Sequence, residues 1–217
     1  MITNLPMETF KEAKRNMEFW EYLEGHRMAV GKIWNDFKEP LMKVLGITED
    51  NMRPLLKEHD LSKYTINEFV ALRDRHFKLI DFRKAYQDEL RKLPTNSDEY
   101  KSFLSTITSK LGNIDEGYMD THCKQNPHHI EYWNHKPMEP KYVAEFICDL
   151  LANAMDPQSS VISIFEATSS YLKEKCNVDS YLMIKDAMEA CYEANIQQLV
   201  HILDLPDVIP SDEKVSN

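Results

Sequence analysis

The sequence predicts an all-α, single-domain helical bundle, and three observations lead there. Apolar residues recur at helical intervals along most of the 217 residues, and no stretch sustains the alternation of a strand. Only five glycines are present, and the ten prolines fall mostly between periodic segments, as expected of helices joined by short loops. A chain of this length suits one well-buried domain, since domains usually hold roughly 100–200 residues. The bundle is expected over residues 1–205. The polar, proline-broken stretch 206–217 is expected to be a flexible tail.

From Met7 to about Leu45, Leu23, Val30, Ile33, Trp34, Phe37 and Leu41 form one apolar face that includes His26. Pro40 is a candidate break, which would leave this helix in two pieces. Pro54 is placed to open the next helical turn, RPLLKEHD, in which Leu55 and His59 share an inward face and Asp60 stands at the helix end. A long helix follows over residues 67–93, with Phe69, Leu72, His76, Leu79, Tyr86 and Leu90 on one stripe; a core histidine is the expectation for His76. Ser97, Asp98 and Glu99 form a helix start running to Leu111. The next helical stretch delivers His122, and Asn126–Pro127 restarts the chain so that His128 and His129 fall in the first turn of a short element. On the helix of MEPKYVAEFICDLLANAM, Tyr142, Glu145, Phe146, Asp149 and Asn153 share a side. Two last helices, near Ser160–Cys176 and Asp179–Leu205, are expected to cover the bundle.

The formal net charge of -10 argues against a duplex nucleic-acid partner, which demands clustered lysine and arginine. Small anions stay open, because the local field decides their binding. Cys123, Cys148, Cys176 and Cys191 show no paired spacing and are expected to be reduced core thiols. No basic start leads into an apolar run, and no stretch approaches 18 uncharged apolar residues, so the expectation is a cytoplasmic protein without a membrane partner.

The chemistry lies in an ordered series: His26, His59–Asp60, His122, His128–His129 and Asp149. Imidazole nitrogen with carboxylate oxygen suits zinc, iron, manganese and similar ions, and an adjacent His–Asp pair can bind one ion through the ring while bridging to a second through the carboxylate. Asp149, flanked by Ile147, Cys148, Leu150 and Leu151, would be costly to bury unless a cation compensates it. Ligands spread over several helices are how a bundle builds a metal site in its core. No glycine-rich phosphate loop or GxSxG elbow competes with this series.

The order H…HD…D, carried by His26, His59–Asp60 and Asp149, resembles the HD-domain superfamily of metal-dependent phosphohydrolases. More narrowly, HDLSKYTINEF, NPHHIEYW and EFICDLLANAM resemble an uncharacterised phage and bacterial family with HDxSK and NPHHxEYW motifs, over roughly His26 to Met155. The resemblance implies an HD-like all-helical fold, one or two divalent ions (Mn, Mg, Co, Zn or Fe) and hydrolysis of a small phosphorylated metabolite, a nucleotide being the leading candidate. One ion would be held by His26, His59, Asp60 and Asp149, and a second by Asp60, His122 and His128 or His129. Lys63 would contact phosphate, and Glu68 and Glu145 would support ligands or transfer protons.

Each role has a plainer alternative. Lys63 would otherwise be a surface lysine, Glu68 a support for the following helix start, and Glu145 a hydrogen-bonded helix residue. His128 and His129 cannot both point the same way from one turn, which leaves one as the ligand and the other behind it. Tyr132 and Trp133 are expected to pack rather than stack on a base, and His135 to lie at the surface or behind the ligands. The same ligand order also resembles the superfamily's di-iron oxygenases, although the close His122–His128 spacing is unlike them. A non-catalytic protein that binds metal or nucleotide is the third possibility.

Overall fold

The computed structural model describes residues 7–94, 97–115, 118–154 and 160–203, and the expected 206–217 tail lies outside them. The described residues are helical, without strands, in the order α1 (Met7–Leu45), α2 (Glu49–Glu58), a 3-10 turn (Leu61–Tyr64), α3 (Ile66–Leu90), α4 (Asp98–Asp115), α5 (Tyr118–Gln125), α6 (Ile130–Trp133), α7 (Pro140–Asn153), α8 (Val161–Lys175) and α9 (Val178–Leu203). The fold is an all-α bundle. No helix among these residues is long and apolar enough to cross a membrane.

α7 is the centre of the packing. Val143, Ala144, Ile147 and Cys148 are fully buried, Phe146 and Leu151 nearly so, and a helix apolar on so many sides belongs inside a core. α1 and α9 pack against it and against each other, α2 closes a further side, and α8 lies on α9. α9 is therefore more than cover: its Ile184, Ala187, Met188 and Cys191 are fully buried in the same core. A smaller cluster of Phe19, Leu23 and Leu72, with Phe69 and Phe77 against it, joins α1 to α3. Cys123, Cys148 and Cys191 are buried outside any disulfide and Cys176 is half-buried; burial pushes the Cys191 thiol up to about 12, where it is inert at neutral pH.

Three local expectations are corrected. α1 is one helix with Pro40 inside it, because buried Trp34, Leu41 and Leu45 on either side anchor both halves to the core. α2 starts at Glu49 after Thr48, whose N–H donates to Asn51 Oδ1 at 2.9 Å, so Pro54 lies within the helix rather than at its start. α4 runs to Asp115, past Leu111. The Ser97 start is as expected, with Tyr100 N donating to Ser97 Oγ at 3.1 Å.

α1 ends at Gly46, whose φ of +64° is the left-handed cap conformation that a side chain disfavours. Gly25, by contrast, sits mid-helix with open space where a Cβ would go. Gly46→Ala should lower unfolding free energy by about 1 kcal/mol, and Gly25→Ala should raise it by up to about 1 kcal/mol, as read by urea denaturation.

Candidate metal centre

α2 stops at Glu58, and the break places two adjacent side chains on one site. His59 leaves the helix with φ -49° and ψ 125°, and Asp60 takes the left-handed conformation at φ 58°. Arg27 fastens this end to α1, donating from Nε to His59 O at 3.0 Å and from Nη2 to Lys57 O at 2.7 Å. Carbonyls at a helix C-terminus lack intrahelical donors, which is the need Arg27 meets beside His26. Both His59 and Asp60 are 2% exposed.

The second motif, NPHHIEYW, is held just as locally. Asn126 Nδ2 donates to His122 O at 2.7 Å across the end of α5, and Trp133 Nε1 donates to Pro127 O at 2.7 Å, closing the turn that carries His128 and His129. The tyrosine hydroxyl of Tyr171, on α8, donates to Glu131. His128 and His129 precede α6 instead of occupying its first turn, and His129 is extended at φ -101° and ψ 143°. That backbone lets both rings face His122, with centroids at 5.9 and 4.9 Å, so the expected divergence of the pair does not occur.

Asp60 stands between two donor sets. On one side, His26 Nε2 lies 2.9 Å from Asp149 Oδ1, 3.4 Å from Asp60 Oδ2 and 3.4 Å from His59 Nε2. On the other, Asp60 Oδ1 lies 3.2 Å from His122 Nε2 and 3.5 Å from His128 Nε2, with His129 completing the group. Four buried side-chain atoms among the described residues lack a hydrogen-bond partner: Asp60 Oδ1 and the Nε2 atoms of His122, His128 and His129. They come from the same four residues that make up the second group. Ligands about 2.0–2.2 Å from a common ion stand roughly 3–3.5 Å from one another, so both groups have the spacing and the chemistry to hold a metal.

Carboxylates behind the rings set their tautomers. Glu68 Oε2 is 2.8 Å from His122 Nδ1 and accepts from Ser62 Oγ at 3.1 Å; Glu145 Oε1 is 2.9 Å from His59 Nδ1 and 3.7 Å from His128 Nδ1. An Nδ1–H donated to a carboxylate leaves the Nε2 lone pair free for a cation. Lys63 is not a surface lysine: its ammonium pairs with Asp60 Oδ2. Burial disfavours the charged forms of His26 and His59, yet Asp149 with Asp60 raises His26, and Asp149 with Glu145 raises His59 to about 9. Burial alone would likewise raise Asp60 and Asp149, but surrounding histidines hold both far below the carboxylate range. For His129, burial and the neighbouring His128 push its pKa down to about 3, leaving it neutral, as a ligand must be.

A cleft of about 250 Å³ reaches this centre, lined among others by Lys63, His129, Asp149, Tyr22, Arg75 and His76. Tyr132 is exposed, Trp133 packs on the core, and His135 is at the surface. A family of unknown function, DUF5662, matches residues 15–197. The chain belongs to this family. No curated protein and no solved structure matches it. The DUF5662 match runs from within α1 to within α9, so both motifs and all seven candidate ligands fall inside it. Within this DUF5662 chain the sequence left Arg27, Ser62 and Asn126 without roles. Ser62 and Asn126 sit inside the two quoted motifs, which was the available signal; Arg27 had only its place beside His26.

Two outcomes follow for the DUF5662 protein. Asp60→Ala, which deletes a ligand from both donor sets, should abolish metal retention and remove the rise in melting temperature that added Mn or Zn gives the unaltered chain, measured by elemental analysis and thermal melts. Because His59 carries a proton below about 9 and an ion must displace it, metal affinity should strengthen at least about tenfold per pH unit from 6.5 toward 9, then level off. Calorimetry in buffers of different ionisation enthalpy should register proton release on binding; a flat profile with no release would contradict it.

Proposed function

We propose that the protein is a metal-dependent phosphohydrolase acting on a small phosphorylated metabolite, a nucleotide being the best fit, with one or two divalent ions at the centre. The observation that carries this is Asp60, whose two oxygens face two separate histidine-rich donor sets beside a cleft that also presents Lys63. Divalent ions held there would polarise a phosphoryl oxygen and supply an ionised water. The order of ligands resembles the HD-domain superfamily, which supports the same assignment.

The chain's own residues then have distinct tasks. Asp60 and Asp149 would balance cationic charge, the rings of His26, His59, His122, His128 and His129 would bind the ions, and Glu68 and Glu145 hold the His122 and His59 rings from behind. Lys63 can exchange its ion pair with Asp60 for a phosphate oxygen in the cleft, once a metal takes over the Asp60 carboxylate. It would then offset charge building on the non-bridging oxygens as the ester breaks. The cleft volume is near the low end for ligand pockets, roughly 300 Å³, which favours one small metabolite over a polymer.

The test is phosphate release from a panel of nucleoside mono-, di- and triphosphates and sugar phosphates by protein loaded in turn with Mn, Mg, Co, Zn and Fe. Turnover of at least one nucleotide is expected, and Lys63→Met should keep its metal while losing about 10–1000-fold in rate. Silence across the panel sinks the hydrolase assignment, and oxygen consumption by the iron form would replace it with oxygenase chemistry. Turnover unchanged in Lys63→Met would remove only the lysine's role.

A further inference from the structure

The cleft carries an aromatic lining that hydrolysis does not use. Besides Lys63, His129 and Asp149, it is lined by Tyr22 of α1 and by Arg75 and His76 of α3. Tyr22 and His76 pack ring on ring, with centroids 4.3 Å apart and planes tilted by 38°. Phe19 lies 5.5 Å behind His76 and is 2% exposed, and Phe77 closes a further side at 5.3 Å, so the imidazole is wedged among aromatics. Tyr22 is 47% exposed. A large aromatic ring left half in water beside a buried polar centre, and braced from behind, is a surface on which a flat group can lie.

We propose that the Tyr22–His76 pair is the base-binding wall of the substrate site, so that the ligand class is a nucleoside phosphate rather than a sugar phosphate. This rests on the assignment of phosphate to the metal end. Every nucleobase has a π-face, so the exposed Tyr22 ring, braced by His76, can accept a base without demanding its hydrogen-bonding edge. The small volume admits one nucleoside unit. Tyr132 and Trp133 do not supply this wall, since Trp133 is committed to Pro127 and the core.

The probes are two non-hydrolysable phosphonates, one of adenosine monophosphate and one of ribose 5-phosphate, with binding to the Mn-loaded full chain read by calorimetry. The nucleoside phosphonate should bind about 5- to 100-fold more tightly than the ribose phosphonate, the range base stacking supplies. Tyr22→Ala and His76→Ala should each erase most of that ratio with metal content unchanged, whereas Tyr22→Phe should keep it. Equal affinity of the two phosphonates, or a ratio untouched by Tyr22→Ala, overturns the wall, as does binding of neither. If the ratio is present and falls in Tyr22→Ala while the phosphate-release panel stays silent, the wall stands and hydrolysis is what fails.

Discussion

Four carboxylates converge where the protein has excluded most water: Asp60, Glu68, Glu145 and Asp149. Compensating their charge is the constraint on which the rest depends. An isolated ionised carboxylate in such a place would cost several kcal/mol or give up its charge. Here Asp60 and Asp149 go the other way and stay ionised, because the positive and hydrogen-bonding groups around them outweigh burial. α7 can carry Glu145 and Asp149 through the centre of the core only because α1, α2, α5 and the turn before α6 each bring imidazole to meet them.

The compensation is divided unevenly. At the His26–His59–Asp149 group a proton on His59 serves as the cation, with Lys63 pairing Asp60 beside it. In the His122–His128–His129 group the rings of His122 and His128 help to hold Asp60 ionised, yet the three Nε2 atoms and Asp60 Oδ1 find no partner of good hydrogen-bond geometry. Orphaned buried polar atoms cost about 1–3 kcal/mol each, so four together mark a place where one cation would satisfy several groups at once. Local destabilisation of this kind is what a binding site costs a stable scaffold. The glutamates show how tightly it is specified, since Glu68 and Glu145 do nothing for the core and yet fix the rings that would hold the ion.

Much of this could be read from residue order. The helical class followed from periodicity and from the scarcity of glycine, and the inward placing of His26, His59 and Asp149 followed from their phase on apolar faces. What periodicity could not give was conformation at the breaks. Pro40 and Pro54 looked like boundaries because a proline costs a helix a hydrogen bond, but packing on both sides of Pro40 and the Thr48–Asn51 start upstream of Pro54 decided otherwise. His128 and His129 were expected to diverge because a helical turn was assumed; a single extended residue reverses that. Arg27 was illegible for a different reason, since its partners are carbonyls, which every residue has.

The breaks also explain why adjacent residues serve one site at all. Along a continuing α-helix, neighbours point about 100° apart, so His59 and Asp60 could not both face the same ion, nor could His128 and His129. Ending α2 at Glu58 and turning Asp60 left-handed swings its carboxylate back between the two donor sets, at a conformational cost of roughly 1–2 kcal/mol for a residue with a Cβ. Aspartate bears that cost better than most residues, and the turn is secured by Lys63 N donating to Asp60 O at 3.0 Å and by Arg27 on the preceding carbonyls. The scaffold helices therefore supply single ligands at fixed phase, whereas each doublet sits at an interruption. Asp60, the one residue both donor sets share, is found where the backbone leaves the helix and is tied down on both sides.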